Sequence, residues 1–206
     1  GHAIILVDDA GENQILIESA ANRELTEAQV KAALSNGQSS GNWVLLQNET
    51  NLAEFIVAEA KQAGFGIAYA AAPFVAETTI ALLPQIDFLA VNEGEAAALA
   101  TTMGIGPQSI PVPRLLITKG AEGSWFREND AVFEQFAFPV EAVDTVGAGD
   151  TFLGSFLSEH DAGKDAAHSL RYAAAASAVQ VTKPGAATAI PDREKVEKFL
   201  EQRKSA

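Results

Sequence analysis

Apolar residues in this chain fall into short runs, and the spacing between runs changes along its length. Ala3 to Val7 is an apolar run, Asp8-Asp9-Ala10-Gly11-Glu12-Asn13 carries turn chemistry, and Gln14 to Ser19 reads as a second strand. The opening is therefore a predicted hairpin. Thr26 then precedes a helical spacing at Val30, Ala33 and Leu34 that closes near Gly37, and Trp43 to Gln47 reads as a strand. Asn51 is the predicted cap of a helix with Leu52, Phe55, Ile56 and Ala60 on one face, stopped by Gly64.

Further strands are predicted at Gly66 to Ala70, Asp87 to Val91 and Leu115 to Thr118, with helices between them, one of them Glu93 to Met103. Short apolar strands alternating with amphipathic helices indicate βαβ units and a mostly parallel sheet, so the fold class is α/β. Ser124 to Arg127 and Ala131 to Ala137 form a second hairpin, with Phe133, Phe136 and Phe138 expected in the core. Pro107 to Pro113 reads as a loop. Helices follow from about Gly149 to Glu159, from Lys164 to Gln180, and from Pro191 onward.

Composition narrows the chemistry. With 206 residues and 48% hydrophobic content the chain can bury a sizeable core. Cysteine is absent, which excludes thiolate catalysis and cysteine-ligated metals. A net charge of −13 with no basic run argues against nucleic acid as a partner. No apolar run approaches the ~18 residues of a membrane span, and the start has no signal-peptide pattern, so a soluble cytoplasmic protein is expected. His160 and His168 match no metal spacing and are expected at the surface.

The segment richest in chemistry is Asp144-Thr145-Val146-Gly147-Ala148-Gly149-Asp150, which leads directly into a helix. Glycines let an anion approach backbone amides closely, and the helix start adds N–H groups and the positive end of its dipole. Asp150 beside such a cradle suits deprotonation of a hydroxyl that attacks a phosphate. The same residues also fit a plain glycine turn with Asp150 as an ordinary first-turn acid. No Walker loop occurs, and Gly147, Gly149 and Gly154 do not fit the dinucleotide fingerprint.

This segment resembles the C-terminal signature of the ribokinase (PfkB) carbohydrate kinases, closest to ribokinase itself. Other segments resemble that family in the same order. They are Gly11-Glu12-Asn13 with Ala21-Asn22, Gln47-Asn48-Glu49, Asn92-Glu93-Gly94-Glu95, Ile117 to Gly123, and Val181 to Ala186 with Ile190-Pro191. The resemblance implies a ribokinase-like three-layer α/β/α sandwich. Residues 1–22 would be a partial β-hairpin flap and 23–206 the α/β nucleotide-binding kinase body.

It also implies roles. Asp150 would be the general base, and the amides of Gly147, Ala148 and Gly149 would be the anion hole. Asn92, Thr118, Lys119, Gly120, Ala121, Glu122 and Gly123, with Gly149 and Asp150, would bind ATP. Glu49 and Asp150 would meet the sugar, and Glu95 would hold Mg²⁺ through water. A monovalent cation, K⁺, would sit among the Asp144 carboxylate and the main-chain carbonyls of Val146, Gln180, Lys183 and Gly185. Asn92 and Glu95 equally fit a helix cap and its third-position acid, and Gly120 and Gly123 a plain turn between strands.

The implied function is ATP-dependent phosphorylation of a hydroxyl of ribose or a similar sugar. The alternative is a catalytically incomplete nucleotide- or partner-binding fragment. The chain departs from the family pattern in three ways. It starts where a complete member is about a third through, Ala189 stands where a serine is usual, and Ala70 stands where a polar group is usual. An exposed apolar sheet edge, and with it a homodimer, is the expected result of the first departure.

Overall fold

The computed structural model describes residues 1–7, 13–37 and 41–203, with side chains given outside 5–7 and 13–15. The predicted turn residues Asp8 to Glu12, and with them Gly11 and Glu12, lie outside the described residues. The chain divides into two compact units: residues 1–89 with 98–112, and residues 90–97 with 113–206.

In the first unit, β1 (His2–Val7) and β2 (Asn13–Glu18) pair antiparallel, with Ile4 opposite Leu16 and Ala3 opposite Ile17. Ile4 is 53% exposed and Leu16 51%, so this pair of cross-strand neighbours faces solvent. Thr26 caps α1 (Glu27–Ser35) in a full capping box with Gln29. Next, β3 (Trp43–Gln47) and β4 (Gly66–Ala70) pair in parallel across α2 (Ala53–Gln62), a βαβ unit.

The expected role of Asn51 is corrected by the structure. Leu52 precedes α2 in the left-handed region at φ 62°, and no side chain caps the helix. The Asn51 carboxamide instead ties down Leu25, accepting its N–H and donating to its carbonyl. Next come α3 (Ala76–Leu82), β5 (Phe88–Asn92) and α4 (Glu93–Met103), the last with the bounds the sequence predicts. Pro107–Ser109, expected as loop, forms one tight 3₁₀ turn.

The second unit is built on β6 (Arg114–Thr118), β7 (Ser124–Glu128) and β8 (Ala131–Gln135), paired antiparallel in that order. Its helices are α5 (Ala148–Asp161), α6 (Ala166–Val181) and α7 (Arg193–Gln202). Alanines 173, 175 and 176 of α6 are buried, and such small side chains let α5 and α6 approach closely. The ring edge of Phe156 on α5 meets Phe126 on β7 at 4.8 Å, and Phe138 packs edge-on against Phe199 of α7 at 5.3 Å.

Two expectations fail here. Phe136 is 79% exposed, because it follows Phe133 by three residues and period-two alternation turns it to the opposite, outward face. His160 is only partly exposed. Its ring stacks on Phe156 and faces Glu128 at 3.5 Å. His168, as expected, stays largely exposed, but it reaches the buried Glu159 carboxylate at 3.1 Å, which Arg193 also binds.

Candidate active site

All but one of the expected site residues lie in the second unit; Glu49, half-buried in the turn after β3, lies in the first. Beside Glu49, Asn48 anchors that turn by donating from its N–H to the Ala72 carbonyl and from Nδ2 to the Pro73 carbonyl, both at 2.9 Å.

The head of α5 has an unusual start. Gly147 leads it in the left-handed region, φ 77° and ψ 6°, and no side chain caps the helix. The Ala148 N–H closes a turn on the Thr145 carbonyl at 3.2 Å, and the Thr151 N–H makes the first helical bond to Gly147 at 2.9 Å. Between them lies the amide of Gly149, for which an α-helix supplies no internal acceptor. Asp150 is exposed in this first turn.

A second layer supports the turn. One Asp144 carboxylate oxygen accepts from the Val146 N–H at 2.9 Å and the other from the Gly185 N–H at 2.8 Å. These two amide bonds hold the Asp144 carboxyl below the usual carboxylate range. Gln180, fully buried near the end of α6, donates from Nε2 to the Val146 carbonyl at 2.9 Å. The Lys183 N–H donates to the Gln180 carbonyl at 3.0 Å. The structure thus gathers Asp144, Val146, Gln180, Lys183 and Gly185 into one bonded cluster.

Asn92 and Glu95 form a reciprocal cap at the head of α4. The Glu95 N–H donates to Asn92 Oδ1 at 2.9 Å, and the Asn92 N–H donates to Glu95 Oε2 at 2.8 Å. Burial pushes the Glu95 carboxyl above its ordinary value, against the opposing pull of the Asn92 amide.

The turn from Thr118 to Gly123 is fixed by the Lys119 N–H donating to the Gly123 carbonyl at 2.8 Å. Gly123 has φ 113° and ψ −133°, and a Cβ there would stand 2.1 Å from the Gln135 carbonyl oxygen. Only glycine fits that position. The backbone at the end of β8 therefore dictates the turn beside it.

Sequence reasoning missed two side chains. Gln180 Oε1 and the Thr151 hydroxyl are both buried with no hydrogen-bond partner among the described residues. A glutamine closing a run of alanines was the available signal for the first.

The model of the pfkB family carbohydrate kinases matches residues 1–193. The chain belongs to this family. It is 32% identical to the ribokinase of Haemophilus influenzae over 98% of its own length and 69% of that protein. Among solved structures, the ribokinase of Thermotoga maritima superposes with a TM-score of 0.81 at 30% identity, over 97% of this chain and 69% of that one. A ribokinase of Arabidopsis thaliana, solved with ribose and ATP, gives 0.83 at 29% identity, over 98% and 69%. This pfkB-family chain therefore has the ribokinase-like α/β fold and spans about two thirds of the length of these relatives. No described helix is long and apolar enough to cross a membrane.

Proposed function

We propose that this chain carries the phosphoryl-transfer site of an ATP-dependent sugar kinase whose acceptor is a hydroxyl of ribose or a similar sugar. The observation that carries the reading is the head of α5, where a left-handed glycine presents uncapped amides next to the exposed Asp150 carboxylate. The Arabidopsis relative, solved with ribose and ATP, supports the choice of substrates.

In this reading Asp150 accepts the proton of the sugar hydroxyl as its oxygen attacks the γ-phosphorus. The bond from that phosphorus to the bridging oxygen breaks, and ADP leaves. In a loose transition state the proton departs late, so Asp150 acts mainly by orienting the hydroxyl. The Gly147–Gly149 turn meets the developing negative charge. Because Ala148 spends its N–H on Thr145, the amide of Gly149 carries most of that task.

Asn92 and the Thr118–Gly123 turn run along the nucleotide. Glu95 would hold Mg²⁺ beside the phosphates, and the ion would supply positive charge to the transferring group. A single carboxylate acting through water, Glu95, suits an ion that keeps part of its hydration shell. The expected partner is a second copy of the chain, covering the solvent-facing Ile4–Leu16 pair. Light scattering over a dilution series reads that association.

The test of the reaction is ADP release on mixing chain, Mg-ATP and ribose, with xylose and arabinose as comparison sugars. Ribose-dependent ADP formation supports the reading. ADP release that is indifferent to any sugar contradicts it.

A further inference from the structure

The cluster beneath the anion turn does not fit a monovalent cation as the element that holds it. Both Asp144 oxygens accept backbone amides, and the Gln180 main-chain carbonyl accepts the Lys183 N–H. The Val146 carbonyl is approached at 2.9 Å by the Gln180 Nε2, the positive end of an amide dipole. Ala189 is buried and carries only a methyl group; the side-chain oxygen near Gly185 is the Thr188 hydroxyl, 2.7 Å from where a Gly185 Cβ would stand.

Gln180 itself is costly. Its Oε1 is buried without a partner, a penalty an apolar residue of the same size would avoid. Its Nε2 lies 3.2 Å from where a Gly147 Cβ would stand, directly under the left-handed residue that heads α5. By fixing the Val146 carbonyl it fixes the peptide plane joining Val146 to Gly147, and with it the aim of the amides that follow.

We propose that the Gln180 carboxamide is the positioning element of the anion turn, doing with a buried hydrogen bond what a bound K⁺ would otherwise do. The inference rests on the kinase reading for its purpose, and on the Gln180–Val146 bond for its substance. It makes the wild-type site indifferent to the monovalent cation. Removing the donor should loosen the turn and open the Val146 carbonyl to an ion.

The experiment compares wild type with Gln180→Met, which keeps the volume and removes the donor, and with Gln180→Ala. Each is melted in KCl and in N-methylglucamine chloride at equal ionic strength, and titrated calorimetrically with Mg-ATP in both salts. Wild type is expected to melt at the same temperature in both. Gln180→Met is expected to bind Mg-ATP about tenfold more weakly, the scale of one buried acceptor left unpaired. It should also acquire a K⁺-specific stabilisation that wild type lacks, because an ion bound only to the folded state raises its stability.

A K⁺-specific rise in the melting temperature of wild type overturns the proposal. So does a Gln180→Met variant that binds Mg-ATP as tightly as wild type. A wild type that binds no Mg-ATP in either salt sinks the kinase reading instead, and the melting comparison still decides the role of Gln180.

Discussion

Two helix heads in the second unit teach opposite lessons. At α4, Asn92 and Glu95 exchange bonds with each other's amides, so the helix satisfies its own start. At α5, a left-handed glycine replaces the cap, and the acid of the first turn, Asp150, stands exposed. Both heads carry a carboxylate three residues past the cap position, yet one closes on itself and the other opens outward. Lack of a cap is not the distinction, since α2 and α3 also start without one. The distinction is the support under α5. There Asp144 and Gln180 hold Val146 from two sides, so the turn leading into α5 is also held still. An anion site needs both properties, because donors that must reorganise lose much of their value.

The largest expected effect comes from the acid of the open head. Asp150→Asn keeps its shape and removes its proton acceptor, so turnover should fall by about 10²-fold or more while Mg-ATP affinity barely moves. Steady-state kinetics with ribose, alongside calorimetry, reads both. Near-normal turnover would make Asp150 the same kind of helix-start acid as Glu95.

A matched glycine pair sharpens the contrast. Gly147→Ala forces a side chain into φ 77° and brings its Cβ to 3.2 Å from Gln180, which should cost about 1–2 kcal/mol and weaken Mg-ATP binding. Gly94→Ala, in the first turn of α4, meets only Asn92 Oδ1 at 3.4 Å and gains helix propensity. It should be neutral or stabilising by up to about 1 kcal/mol. Urea unfolding of the two variants checks the opposite signs.

The smallest effects concern pH, and they too run in opposite directions. The lowered Asp144 carboxyl contributes stability that is present above the ordinary carboxylate range and lost as pH falls below about 4. Asp144→Asn should therefore lower the melting temperature at pH 7, with the difference shrinking in acid. The raised Glu95 carboxyl favours the folded state only when protonated, below about pH 4.5, and that contribution is lost as pH rises. Glu95→Gln retains the acceptor for the Asn92 amide and removes the buried charge, so it should melt slightly higher at pH 7. Melting curves between pH 3.5 and pH 8, as an experimental range of roughly that width, separate the two.

Much of this contrast was legible in the sequence where a local rule and the fold agree. The bounds of α4 followed from the Asn92-x-x-Glu95 box, because both halves of that cap are side-chain chemistry. The α5 head was legible as a glycine turn before a helix. Asn51 misled because its side chain had two possible employers, and Leu52 in the left-handed region removed the local one. Phe136 misled because a shared residue type was read as a shared face, although Phe133 and Phe136 are three apart and alternation sends them to opposite sides. Gln180 could be placed near the turn only through its carbonyl. Helical spacing says which face a residue occupies, and not which atom in a distant turn its amide will reach.

The central claim is that the head of α5, which no side chain caps, and not the capped heads of its neighbours, receives the phosphates. Amide NMR shifts during a titration with Mg-ADP test this residue by residue. The account predicts that the largest movements fall on Gly149 and Asp150, while the N–H groups of His168 and Lys195, which the caps Asp165 and Asp192 already hold, stay in place. A nucleotide that saturates the protein without moving Gly149 or Asp150 would contradict it.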